Sequence, residues 1–248
     1  MKKKTLSKLA SFLLLFTVAT STATVFATDS VDNSRDVTSQ RGTEICGDNG
    51  KKSDDAIDLR YTQPSNQYLT RDPGGSLPKK IDMKVTVCTQ AKDNWCGAAT
   101  ANQVITYING SSPSQEKIAE AFGIKNNNNG TDLATIKSYI KKQTGAVYET
   151  YSNPSEDYLF VAIPSATLGK KPPILRMKVL TKYGFPYDIK SSGHFMNASG
   201  YRDYGSEILV TDPAVKNKVS SNKTGKYYVP VKSIYDGTSN HFAKEIAF

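Results

Sequence analysis

The sequence predicts an α+β fold: an N-terminal helical part packed against a mainly antiparallel β-sheet or half-barrel. Three observations predict it. Helical periodicity is concentrated between residues 94 and 145. Short β-branched or apolar runs, bounded by Gly, Pro, Asp and Lys, fill most of the chain beyond residue 145. Before residue 81 the chain is polar and rich in turn residues, with little apolar periodicity.

The first 27 residues read as a secretory signal rather than as fold. Lys2, Lys3, Lys4 and Lys8 form a basic start, Leu9 to Phe16 a short apolar core, and Val25-Phe26-Ala27 a small-residue cleavage site. The apolar run is too short to span a bilayer comfortably, so no stable membrane insertion is expected. Cleavage after Ala27 leaves a chain from Thr28 to Phe248 and reduces the formal charge of +9 by those four lysines, to 9 − 4 = +5. The remaining lysines are scattered rather than striped, which argues against a nucleic-acid partner. The expected location is extracellular or at the cell wall.

Residues 28–80 read as a polar N-terminal extension or pro-segment. Asp72-Pro73-Gly74-Gly75 is a strong turn signal, and no convincing inhibitory helix is evident. Organisation begins at Ile81, where Met83, Val85 and Val87 alternate as a short strand would. A helix follows, capped by Asp93 or Asn94, lined by Ala98, Ala99, Ala101, Val104, Ile105 and Ile108, and stopped at Gly110. A second starts at Ser112-Pro113, with Gln115 available for a capping box, and ends at Gly123. A third runs from Thr131-Asp132 to Gly145. Ala146 to Tyr151 then predicts a strand, and Ser155 to Leu168 a helical stretch interrupted by Pro164. Short strands are expected at Ile174–Leu180, His194–Tyr201, Ile208–Thr211, Tyr227–Val231 and Lys244–Phe248. The organised part, residues 81–248, is about 165 residues long, enough for a core of its own.

The chemistry centres on Cys96. The run Gln90-Ala91-Lys92-Asp93-Asn94-Trp95-Cys96-Gly97-Ala98-Ala99 places this thiol at a helix N-terminus, where the positive end of the helix dipole favours the nucleophilic thiolate. Gly97 and Ala98 leave room for a substrate backbone. Gln90, six residues upstream, can aim its amide N–H at a developing oxyanion, with the Cys96 backbone N–H as second donor. The chain has only two histidines. His194 follows Gly193 on a strand, whereas His241 lies in the polar turn Thr238-Ser239-Asn240-His241, where an exposed histidine is expected. A hairpin through Asp203–Ser206 brings Asp212 toward His194, as an orienter of its imidazole; Asp188 and Asp203 are weaker substitutes because they sit in turns. Three cysteines leave the redox state open. A Cys46–Cys88 bridge leaves Cys96 as a thiol, and a Cys88–Cys96 bridge removes the nucleophile. No metal-ligand cluster and no phosphate-binding glycine loop is present in the sequence, and no cofactor is implied.

With Gln90, Asn94-Trp95-Cys96-Gly97-Ala98-Ala99, Gly193-His194 and Thr211-Asp212-Pro213 in this order, residues 81–248 resemble the papain-like cysteine peptidases. The likeness is strongest to the bacterial branch of double-glycine-leader peptidase-like (C39-like) domains. The resemblance implies a papain-like fold and a peptide or protein substrate. It implies Cys96 as nucleophile, His194 as base, Asp212 as orienter and Gln90 as oxyanion donor. The same order of Cys, His and Asp also serves cell-wall amidases and transglutaminase-like acyltransferases, and an inactivated scaffold can serve as a secreted binding protein. A peptidase is the favoured expectation.

Overall fold

A computed structural model describes residues 48–60, 77–189, 193–214 and 225–248. The expected signal segment and Cys46 lie outside the described residues. Among those described, no helix is long and apolar enough to cross a membrane.

Among the described residues the α-helices are α1 (Cys96–Asn109), α2 (Gln115–Ala121), α3 (Leu133–Thr144), α4 (Glu156–Leu168) and α5 (Val231–Ser239). The strands are β1 (Ile57–Asp58), β2 (Ile81–Asp82), β3 (Thr150–Ser152), β4 (Ile174–Met177), β5 (His194–Arg202), β6 (Glu207–Asp212), β7 (Gly225–Pro230) and β8 (Glu245–Ala247). They form one sheet in the order β1-β3-β8-β4-β5-β6-β7, with β2 also paired to β5. All pairings are antiparallel except β1 with β3. The α+β expectation holds.

Alternation along the strands divides the core between the two faces of the sheet. On one face Ile174, Phe195 and Ala247 pack with Ala98, Ala101, Val104 and Ile105 of α1 and with Leu133, Ile136 and Ile140 of α3. On the other, Leu175, Met177, Met196, Ala198 and Val210 pack with Leu159 and Ile163 of α4 and Ile234 of α5. Local signals set most helix ends. Gly110 and Gly145 close α1 and α3 in the left-handed conformation, at φ 77 in both. Asp132 and Ser155 cap α3 and α4 by accepting from the N–H groups of Thr135 and Tyr158.

Several local expectations are corrected. Neither Asp93 nor Asn94 caps α1: its N-cap is Trp95, with no side-chain cap, and the Asn94 amide instead donates to the carbonyls of Asn127 and Asn129. The second helix starts at Gln115 because Ser114, not Ser112, caps it by accepting from the Lys117 N–H, and the Gln115 amide, committed to Thr89 O and Cys88 Sγ, closes no capping box. The strand expected at Met83–Val87 does not form, and β2 stops at Asp82: Lys84 adopts φ 60, and Val87 is exposed. The helix α4 continues through Pro164. The expected strand at Tyr227–Val231 ends at Pro230, and α5 begins with the next residue.

Candidate active site

The central β5–β6 hairpin carries two of the expected site residues. Asn197 pairs with Thr211, so Asp212 shares a face with Met196 and His194. The result is a hydrogen-bond contact of 2.9 Å between His194 Nε2 and Asp212 Oδ1, with both side chains fully buried. The other ring nitrogen, Nδ1, is buried without a hydrogen-bond partner.

Asp212 is held by more than the histidine. Its Oδ1 also accepts from the Ala214 backbone N–H at 2.8 Å. Its Oδ2 accepts from the Tyr227 hydroxyl at 2.6 Å and from the Tyr187 hydroxyl. Burial alone raises its pKa. The charge of His194 and the hydrogen bonds from His194, Tyr187 and Tyr227 outweigh it, so the carboxyl stays below its ordinary range. Burial and the adjacent carboxylate push both phenols well above theirs, so they remain donors. Neither tyrosine was singled out in the sequence. For Tyr227 a signal existed once the register is known. Asp212 pairs with Gly225 and Val210 with Tyr227, which puts the phenol one diagonal step from the carboxylate on the same face. Tyr187, in the segment between β4 and β5, gives none.

Cys96 is the first residue of α1 and is fully buried. The N–H groups of Cys96, Gly97 and Ala98 precede the first intrahelical bond, from Ala99 N–H to Trp95 O, and the first turn contains no acidic residue. The dipole there is offset by no side-chain charge of its own helix. Cys96 lies in the same apolar cluster as Phe195, the neighbour of His194, and within electrostatic reach of the Tyr187 hydroxyl on Asp212. A buried polar bolt fixes α1 on β5: the Asn197 amide donates to Gln103 Oε1 at 2.7 Å and to Thr100 O at 3.3 Å. Gln103 in turn donates to Cys88 O at 3.2 Å, which ties in the loop carrying Gln90.

Gln90 is buried, and its backbone N–H donates to Pro213 O at 2.8 Å, beside Asp212. Its side-chain amide is not poised as expected. Nε2 donates to Lys92 O at 3.0 Å and Asp93 O at 2.8 Å, so both of its protons are committed to the loop. Cys88 and Cys96 are thiols. The Cys88–Cys96 bridge is not formed, and Cys88 Sγ accepts from the Gln115 amide at 3.0 Å; the expected pairing with Cys46 lies outside the described residues. His241 is corrected too. It is fully buried rather than exposed.

The α+β fold class is that of the papain-like cysteine peptidases. Residues 82–239 match the profile of the Peptidase_C39 like family, more than half of the chain. The chain belongs to that family, and is a cysteine-type peptidase. Among solved structures it is similar to xylellain, a cysteine protease from Xylella fastidiosa, with a TM-score of 0.54 at 14% identity over 81% of this chain and 94% of that one. It is also similar to the digestive procathepsin L2 proteinase of Tenebrio molitor larval midgut, with a TM-score of 0.51 at 13% identity over 83% of this chain and 76% of that one. At these identities the likeness is one of fold. A comparison with curated protein sequences found no match.

Proposed function

We propose that the chain is a secreted peptidase that cleaves peptide bonds with Cys96 as nucleophile, His194 as base and acid, and Asp212 as orienter. The observation that carries this reading is the buried 2.9 Å contact between His194 Nε2 and Asp212 Oδ1, which leaves Nδ1 unclaimed. A histidine tethered through one nitrogen to a carboxylate, with the other open, is the form a proton carrier takes.

The Cys96 thiol gives its proton to Nδ1, and Sγ attacks the peptide carbonyl carbon. Charge collects on the carbonyl oxygen, where the first-turn N–H of Cys96 supplies a donor. Gln90 joins by exchanging one of its two loop carbonyls for that oxygen. The tetrahedral adduct collapses to a thioester as the imidazolium protonates the leaving amine. Water then attacks the thioester, with its proton taken by Nδ1, and Cys96 is regenerated. Asp212, locked by two phenols and a backbone N–H, holds the ring and balances its charge throughout. The basic, apolar start of the chain supports secretion.

The test is stoichiometric labelling by an epoxysuccinyl inhibitor together with turnover of a quenched peptide library. Labelling at Cys96 that is lost in His194→Ala, with hydrolysis of peptides, supports the reading. Isopeptide formation in the presence of an amine, without hydrolysis, would replace it with an acyltransferase. Absence of labelling under reducing conditions would remove the enzyme altogether.

A further inference from the structure

The described part of the N-terminal extension is built into the domain by a second buried ionic cluster. Arg176 on β4 makes a bidentate contact with Asp48, Nη2 to Oδ1 at 2.6 Å and Nε to Oδ2 at 2.8 Å. Its Nη1 donates to Glu245 Oε2 on β8 at 2.7 Å, and all three side chains are buried. Glu245 also accepts from the Ser53 N–H and hydroxyl. His241 Nε2 lies 2.9 Å from Asp48 Oδ2, at an ion-pair distance without hydrogen-bond alignment.

This segment touches both halves of the candidate site. On the helical side, Asp48 forms a parallel bridge with Thr131, and the Asn49 N–H donates to Thr131 O at 2.9 Å. Thr131 is pressed on α1: a Cβ at Gly97, next to Cys96, would stand 2.2 Å from Thr131 Cγ2. On the sheet side, a Cβ at Gly193, next to His194, would stand 2.1 Å from His241 Nε2 and 2.6 Å from Asp48 Oδ2. The backbone at Gly193, just before His194, therefore rests directly on the Asp48–His241 contact. Farther along, β1 adds itself to β3, and Asp55 pairs with Lys137 of α3 at 2.7 Å.

We propose that residues 48–60 are a fixed strap of the active peptidase rather than a removable pro-segment, with Asp48 as a positioning residue that seats the backbone at Gly193 and His194. The inference rests on the proposed role of His194. Its mechanism is geometric: without the Asp48 carboxylate, Arg176 and His241 lose their shared partner, and the floor under Gly193 shifts.

The experiment compares the full chain with Asp48→Asn, Asp48→Ala and, as a control on the same strap, Asp55→Ala. Because His194 and His241 are the only histidines, the ¹⁵N imidazole spectrum reads both rings directly. The expected result is a fall in kcat of about 10- to 100-fold in both Asp48 variants, with KM within about twofold and shifted His194 signals. The control should change neither kcat nor the His194 signals. Unchanged His194 signals and kcat in both Asp48 variants would overturn the strap. Should Asp48→Ala fail to fold, the isosteric Asp48→Asn alone gives the same decision. If the unaltered chain cleaves no peptide, the function falls separately, and the His194 signals alone then decide for or against the strap.

Discussion

The chain's two histidines stand at the same distance from a buried carboxylate, one hydrogen-bonded and one not, and have opposite surroundings. His194 and His241 are both fully buried, and each Nε2 lies 2.9 Å from a buried carboxylate oxygen, on Asp212 and Asp48 respectively. The carboxylates differ in what else holds them. Asp212 is held by phenol and backbone donors that carry no charge, whereas Asp48 is clamped by the Arg176 guanidinium. The second nitrogens differ as well. His194 Nδ1 has no hydrogen-bond partner, and His241 Nδ1 accepts from the Ala243 N–H at 3.2 Å. Burial is the largest influence on His241 and holds its pKa below the ordinary value. A histidine and an aspartate close together do not make a proton carrier. On the proposed reading, what marks His194 as the proton carrier is its unclaimed nitrogen, together with a carboxylate that meets no competing cation among the described residues.

The largest expected effect separates the two rings by what their loss damages. His194→Ala should lower kcat by about 10²- to 10⁴-fold, the usual share of a positioned acid-base group. His241→Gln should lower kcat far less while destabilising the fold by about 1–3 kcal/mol, the cost of disturbing a buried polar group. Parallel peptide turnover and urea unfolding check both. Equal loss of activity in the two variants would erase the contrast.

Next in size is the removal of the cation that distinguishes the clusters. Arg176→Met leaves Asp48 and Glu245 buried without their counter-charge, and breaking a buried pair from one side costs about 3–5 kcal/mol. The urea midpoint should fall accordingly. A midpoint close to that of the unaltered chain would mean that the strap contributes little to the fold.

The contrast between the two clusters also accounts for what is legible in the sequence. Cys96, His194 and Asp212 stand out because short-range features mark them: a helix start, a glycine before a strand, an Asp-Pro after one. The caps at Asp132 and Ser155 and the stops at Gly110 and Gly145 are local in the same way. The Arg176 cluster is not local. Its Asp48–Arg176 pair spans 128 residues, and nothing near either residue announces the other. His241 misleads for the same reason: its neighbours Thr238, Ser239 and Asn240 are polar, and only distant partners account for its burial. Gln90 marks a further limit. Its spacing from Cys96 is readable, but the capture of its amide by the carbonyls of Lys92 and Asp93 depends on how the intervening loop folds back.

The clusters should also separate along pH. Asp48 is held at about 2 and Asp212 below its ordinary value, so each contributes stability above the unfolded carboxylate pKa and loses it as pH falls through the folded one. His241, held below its ordinary value, contributes stability above the unfolded pKa of about 6.5 and loses it as acid charges the unfolded chain. Stability should therefore begin to decline below about pH 6.5 and fall more steeply below about pH 4. His241→Gln should remove the first decline and leave the second. Asp48 supplies about 2 kcal/mol of the second, by the size of its shift. Urea unfolding across this range measures both steps.

The smallest expected effect tests what replaces the guanidinium in the His194 cluster. Tyr227 and Tyr187 donate to the same oxygen of Asp212, and their hydroxyls lie 3.5 Å apart. Tyr227→Phe removes one donor while the ring still fills the space, and Tyr187 keeps Oδ2 from standing bare. A lost hydrogen bond to a charged group costs about 1.5–3 kcal/mol, and the remaining phenol should hold the loss near the lower end. The sign of the pH effect depends on which form the phenol favours. It stabilises the carboxylate, so its removal raises the Asp212 pKa, and the acid limb of kcat/KM should move to higher pH. Tyr187→Phe should do the same. The double variant should exceed the sum of the two, because only then does Oδ2 lose its last hydroxyl donor among the described residues. An acid limb unmoved in the double variant would show that the two phenols merely pack beside Asp212, and the distinction from the guanidinium-clamped Asp48 would then rest on the open nitrogen of His194 alone.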